Sequence, residues 1–513
     1  MAALLATVWL IADLRPPDLA AQVYRAQLFE RLGFSIWDEH WYAGHFLPGY
    51  SLLFPPLADL MGLRLLAVLS VLASATLFER LALPLYGRAS RWGAAAFALA
   101  AVADIWSGRL TFALGVALAL GAALACARKV SPLAVLLAAC AAAASPVAGV
   151  LLALAGVTYA LQQRSLRGLL ELAAPGAAVI VTLALLFGEG GVEPYPILSF
   201  AATALVVLMF LWALPASERM LRTGGLVYLL ACLLCLLVHS PIGSNIERYG
   251  VLLAGPLLLC ALGAAPRRRP AAVLALVLAA IAAWVLWGPI RETVSVAGNE
   301  STSAAYYAPV ERFLSLHEGA PLRLEVPLTR SHWEAALLAP TVSLARGWEK
   351  QLDTRFDHVL LEPGLSPALY ERWLDEQAVA YVALPDTPLD PSSAQEGRLI
   401  RRGLPYLHEV FASRHWRIFA VRSPTPLASG PGRLSSLGAD SFTLRASSAG
   451  SFLVRVHFNR YWTFTSGSGC VRAAPGGWTS VQVGSPGSFT IAARFSLGRA
   501  LGLQSSCPLP VSH

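Results

Sequence analysis

RPPDLAAQVYRAQLFERLGFSIWDEHWYAGHFLPGYSLLFPPLADLMG, residues 15–62, separates an apolar run at 1–13 from a second at 63–84, and it carries five carboxylates and a dense set of aromatic rings. Working outward, further apolar blocks follow at 92–104, 109–127, 131–144, 146–163, 168–187, 198–214, 224–239, 247–265 and 270–289. A helix needs about 20 apolar residues to cross a bilayer, so the chain up to residue 290 reads as a polytopic α-helical membrane domain of about 11 spans. The first run is short, since about 13 residues rise only about 20 Å. It either tilts into a thinned membrane or has an upstream start. It also lacks the basic segment and small-residue cleavage site of a secretory signal, so none is expected.

The connectors set the orientation. One alternate set holds Arg80, Arg88, Arg91, Arg128, Lys129, Arg164, Arg167, Arg219, Arg222, Arg267, Arg268 and Arg269, twelve cations against Glu79 and Glu218. The other set holds Asp13, Asp18, Glu30, Asp38, Glu39, Asp59, Asp104, Glu189, Glu193 and Glu247. The positive-inside rule makes the first set cytoplasmic. The N-terminus is then cytoplasmic, while the outward loop 14–62 and everything after residue 290 face outward, which predicts a multi-pass plasma-membrane protein.

Mean hydropathy of +0.58 and a hydrophobic content of 56% agree with this. The basic pI of about 9.3 is explained by the cytoplasmic anchors, so no nucleic-acid partner is inferred. Cys126, Cys140, Cys232, Cys235 and Cys260 lie in apolar blocks as packing residues, the Cys232/Cys235 CxxC included. Cys470 and Cys507 are the two outward cysteines, and an oxidising compartment predicts a disulfide between them.

The outward region divides near residue 425. Residues 291–425 mix strand patterns (322–326, 379–384, 416–421) with helical ones (304–316, 366–376), predicting an α/β lobe. Residues 426–513 alternate at 441–446, 451–458, 479–483 and 489–495 between Gly, Pro and Ser turns, predicting a small β-sandwich.

In loop 14–62, Asp18 stands where a helix cap belongs, and Leu19, Val23, Ala26 and Leu28 suit an amphipathic interfacial helix. Trp37, Trp41, Tyr42, Phe46 and Tyr50 suit an interfacial belt. Rings beside carboxylates also suit a sugar site, where aromatic faces cover a pyranose and carboxylates accept its hydroxyl protons.

Asp18-Leu-Ala-Ala-Gln22-Val-Tyr-Arg25, then Trp41-Tyr42, then Leu53-Phe54-Pro55-Pro56-Leu57, resembles the first outward loop of membrane glycosyltransferases of the GT-C superfamily. The polyprenyl-phosphate-sugar-dependent glucosyltransferases of N-glycan assembly carry similar D-x-x-A-Q-R, WY and YPPL elements. With the β-rich C-terminal region, the architecture also resembles bacterial membrane proteins of the YfhO type and actinobacterial membrane proteins. The resemblance covers about 45 residues of loop. It implies that Asp18 is the catalytic acid, taking the acceptor hydroxyl proton in an inverting transfer. The family's acidic motif has a different preceding residue, since Pro17 stands before Asp18 here, and Asp38 and Glu39 are rival carboxylates. It further implies substrate or donor contacts from Gln22, Arg25, Trp41, Tyr42, His45 and Tyr50.

Three more outward turns offer donor-binding groups. Asp104 and Arg109 flank one turn and can also pair with each other. Glu193 lies in a Gly/Pro-rich loop. Asn245 and Arg248 open a span at Gly243-Ser244-Asn245, where backbone N–H groups and a guanidinium suit a phosphate, unless Arg248 pairs with Glu247 or lipid. Trp333-Glu334 and Trp348-Glu349 form two Trp-Glu pairs that can bind glycan or simply pack. Asp38-Glu39-His40 is the candidate for a divalent cation. Nucleotide-binding and dinucleotide fingerprints are absent, which disfavours ATP-driven and nicotinamide chemistry. The sequence therefore predicts transfer of a sugar from a polyprenyl-phosphate donor to an envelope glycan or lipid acceptor, with a non-catalytic lipid or polysaccharide transport component as the alternative.

Overall fold

The computed structural model describes residues 1–264, 269–317, 319–504 and 507; Arg267 and Arg268 of the cationic connector set lie outside them. The chain forms two compact units, one of residues Met1–Glu30 and Pro48–Ala297, the other of Arg31–Leu47 and Gly298–His513. Loop 14–62 is therefore divided. Its beginning and end belong to the helical unit, while its middle, read above as one continuous part of the membrane domain, belongs to the second.

The first unit contains α1 (Ala2–Ala12), α2 (Pro17–Leu32, entering the second unit at Arg31), α3 (Phe54–Met61), α4 (Leu63–Tyr86), α5 (Ser90–Trp106), α6 (Leu110–Ala127), α7 (Ser131–Ala144), α8 (Pro146–Gln163), α9 (Ala174–Phe187), α10 (Ile197–Ala213), α11 (Arg219–Leu237), α12 (Glu247–Ala264) and α13 (Ala271–Val296). Among the described residues, seven apolar helical stretches are long enough to cross a membrane, the first bent between α4 and α5 near Gly87, and α1, α7 and α10 are shorter apolar helices. Apolar tails give helices no net hydrophobic reason to associate, so close backbone approach does the packing. Gly93 of α5 lies against Pro256 and Cys260 of α12, and Gly149 of α8 lies on Ala142 of α7 with no room for a Cβ. The Phe54-Pro-Pro-Leu57 element is fixed to the end of α7, where Ser51 Oγ donates to Ala144 O (2.7 Å) and Leu52 N to Ala143 O (2.8 Å).

The second unit contains fifteen strands among its described residues. A two-stranded hairpin pairs β1 (Trp37–Asp38) with β2 (His45–Phe46). The α/β lobe has β3 (Arg323–Glu325), β4 (Ser343–Leu344), β5 (Val379–Pro385), β6 (Leu407–Ala412) and β7 (Trp416–Val421), in the order β4-β3-β5-β7-β6. Its β4, β3 and β5 run parallel and β5, β7 and β6 antiparallel. The expected helices stand at Ala304–Ser315 and Pro367–Glu376, the latter capped by Ser366.

Two four-stranded antiparallel sheets follow, built from β8 (Ala428–Ser429), β9 (Gly432–Leu437), β10 (Ser441–Ala446), β11 (Gly450–His457), β12 (Trp462–Ser466), β13 (Gly469–Ala473), β14 (Trp478–Val483) and β15 (Gly487–Ala493). Their orders are β12-β15-β10-β9 and β13-β14-β11-β8, and a disulfide joins Cys470 to Cys507.

Candidate functional site

In the helical unit, three segments distant in sequence bring charge together. Asp18 lies in the first turn of α2, one residue inside Pro17, rather than at the cap position expected for it. Pro17 suits that opening position because the N–H it lacks has no partner within the helix. The Asp18 Oδ2 accepts from Arg109 Nε at 3.4 Å, and Arg109 Nη1 lies 3.6 Å from Asp104 Oδ1. Arg109 thus spans both acids, where the sequence had suggested only the local pair. Asp104, Asp18 and Glu292 all face its charge. The Asp18 side chain is 38% exposed and that of Asp104 10%, so Asp18 is the more accessible carboxylate of the pair.

Arg248, in the first turn of α12, lies over the Phe112 ring at 5.3 Å, and Asp104, Asp18 and Arg109 all act on its charge. Glu247 does not pair with it. The Glu247 carboxylate instead accepts from Thr203 Oγ1 of α10 at 3.0 Å. Among the described residues no carboxylate lies within ion-pair reach of Arg248, which leaves its guanidinium open to an anion.

The loop ahead of α12 is laced to the Gly/Pro-rich loop. Ser244 Oγ donates to Glu193 Oε1 (3.0 Å) and Glu193 N to Ser240 O (3.0 Å). Gly243, at φ +42°, passes so close to the Glu193 carbonyl that a Cβ could not fit. Asn245 N donates to Ile242 O (2.9 Å), closing the turn that starts the helix. Arg25 stacks over the Tyr50 ring at 3.9 Å, and Gln22 is buried against the 108–111 backbone. The face of α2 is broader than the amphipathic stripe expected, since Gln22, Tyr24 and Arg25 are buried with Ala20, Ala21, Ala26 and Leu28. Glu292 was not among the residues singled out in the sequence; Trp106, within the Asp104–Arg109 turn, donates from Nε1 to Thr293 Oγ1 (2.8 Å) and ties the end of α5 to α13.

The remaining sequence candidates lie in the second unit. Asp38, Glu39, Trp41 and His45 are fully buried and Tyr42 almost so. Leu344 N donates to His40 O (2.8 Å), Ser343 Oγ to Glu39 O (3.0 Å), Glu39 N to Ala439 O (2.6 Å) and His457 N to Ala43 O (2.7 Å). Trp41 Nε1 donates to Ala335 O (3.0 Å), and Tyr42 Oη donates to Glu349 O and accepts from Glu349 N. This hairpin is a structural insert between the α/β lobe and the sandwich. Burial, first of all, raises the Glu39 pKa, against the opposing effects of Trp37 and Arg323.

Trp333 and Glu334 are also interior, with Glu334 accepting from Thr329 N (2.9 Å) and Thr329 Oγ1 (2.6 Å). Trp348 stacks on His332 with centroids 3.4 Å apart, and Glu349 is half-buried. Among the described residues no group of three or more His, Cys, Asp or Glu converges on a point that could hold a metal, the Asp38-Glu39-His40 run included.

No family model matches the sequence, and no curated protein matches it. Among solved structures the chain is similar to the arabinofuranosyltransferase AftD from mycobacteria, with a TM-score of 0.47 and 19% identity, over 83% of this chain and 42% of that one. The chain thus spans less than half of that protein's length.

Proposed function

We propose that the helical unit is a membrane glycosyltransferase that moves a sugar from a polyprenyl-phosphate donor to a cell-envelope glycan or lipid on the outer face of the plasma membrane. The carrying observation is the convergence of Asp18 from α2, Asp104 and Arg109 from the α5–α6 turn, and Arg248 from the start of α12. The charge asymmetry of the connectors supports the outward placement, and a lipid-linked donor is the activated sugar such a face can be supplied with.

In this reading the acceptor oxygen attacks the anomeric carbon while its proton passes to the Asp18 carboxylate. The bond from that carbon to the phosphate oxygen breaks, and the lipid phosphate keeps the electron pair. Arg109 holds Asp18 in place. Arg248, at the N-terminus of α12, meets the growing phosphate charge, where helix-end N–H groups and a guanidinium act together. The 188–196 loop is tied through Glu193 to Ser244 just ahead of α12, and Arg25 of α2 lies over Tyr50.

The test is incubation of the purified protein in lipid nanodiscs with labelled polyprenyl-phospho-sugar and envelope acceptors. A new glycosidic bond supports transfer. Movement of donor across a proteoliposome membrane with no new bond would replace this reading with a transport one.

A further inference from the structure

Gln22 is only 1% exposed, and a buried amide must satisfy both ends. Its Nε2 donates to Gly108 O and to Asp18 O (3.1 Å), and its Oε1 accepts from Thr111 N (3.0 Å). The side chain therefore grips the turn between α5 and α6 on both sides of Arg109. Gly108, at φ +80°, makes the grip close. A Cβ there would stand 2.6 Å from Leu19 N and 3.1 Å from Leu19 Cβ, so the turn rides directly on the first turn of α2. That first turn carries Asp18, four residues before Gln22, and the gripped turn carries Arg109.

We infer that Gln22 is a positioning residue: its two-ended bond to the 108–111 backbone sets the Asp18 carboxylate against Arg109, and it touches no substrate. The inference rests on Asp18 as the proton acceptor. A sub-ångström to ångström shift of a reacting group costs on the order of 10²-fold in rate, so the clamp is expected to matter for turnover more than for binding.

The experiment uses Gln22→Glu, which keeps the shape but sets an acceptor against Gly108 O, and Gly108→Ala, which forces the same two turns apart from the other side. Each should lower kcat by about 10- to 100-fold with KM for the lipid donor within about twofold. In an Asp18→Asn background neither should lower the residual rate by more than about twofold, because the group they position is gone. An activity-independent readout is cross-linking of Asp18→Cys to Arg109→Cys with a short bifunctional thiol reagent, mapped by peptide mass spectrometry. Adding Gln22→Glu should cut its yield at least about fivefold.

Losses that are equal with and without Asp18, or an unchanged cross-link yield in folded protein, would overturn the inference. If Asp18→Asn turns over like the unaltered protein, the reading of Asp18 fails instead, and the cross-link yield alone judges the clamp.

Discussion

Trp41→Ala should unfold the second unit early, although Trp41 precedes the rest of that unit by some 250 residues. The indole is fully buried, donates to Ala335 O at 3.0 Å and stacks on His45 with centroids 5.6 Å apart. Truncating a buried Trp costs about 3–5 kcal/mol, and a unit of this size loses roughly 2–4 °C of Tm per kcal/mol. The transition of the second unit should therefore fall by roughly 8–16 °C at the middle of that range.

Gly347 supplies the control. A Cβ at Gly347 would lie 2.7 Å from Trp41 Cβ and nearer still to the indole ring, so Gly347→Ala alone should cost about 1–3 kcal/mol by overpacking. In Trp41→Ala the ring is gone and the remaining Cβ can shift, so most of that cost should vanish as a coupling energy of about 1–3 kcal/mol. Scanning fluorimetry of the detergent-solubilised protein, with limited proteolysis to assign the transition, reads both. Additive losses, or a Trp41→Ala transition within about 2 °C of the unaltered protein, would refute the placement of residues 31–47 as an insert.

Arg248→Ala should raise KM for the lipid donor by about 10-fold or more with a smaller effect on kcat, measured by initial rates over donor concentration, because a phosphate contact acts on bound donor as well as on the transition state. Glu39→Gln tests the buried carboxyl. Its folded pKa is raised, so the stability it contributes is complete below its unfolded value of about 4.3 and is lost as pH rises through the folded value. Glutamine mimics the protonated form, so the Tm of Glu39→Gln should gain on the unaltered protein between about pH 5 and 8; a gap that closes or reverses would show an ionised Glu39. A periplasmic-type reporter fused after His513 should be active only outside, and cytoplasmic activity would invert the orientation and remove the lipid-donor argument.

Much of this was legible in the sequence. The apolar blocks and their connectors marked the helices, because spans are set by length and hydropathy alone. Strands 379–384, 416–421 and 441–446 stood within a residue of their observed bounds, since alternation over six residues is a local signal. Two-residue strands such as β4 carry no such signal.

At the site, Asp104 and Arg109 were legible as a pair because they flank one turn. The Asp18–Arg109 contact was not, being made across 91 residues. Trp37, Trp41, Tyr42, Phe46 and Tyr50 suit an interfacial belt and a sugar site alike, because rings beside acids have the same composition in either and in a packed hairpin. The role of the Trp37–His45 segment lies in backbone bonds to Leu344, Ala439 and His457, which no local pattern records.

The most direct test of the catalytic claim is product formation by Asp18→Asn in the lipid-donor assay, with Asp38→Asn and Glu39→Gln beside it. Asp18→Asn keeps the shape of the side chain and removes its basicity, so a folded variant should form glycosidic product about 10²-fold more slowly or worse, while the two hairpin variants that remain folded should keep rates near those of the unaltered protein. Near-normal transfer by Asp18→Asn, with loss of transfer in a well-folded Asp38→Asn or Glu39→Gln, would contradict it.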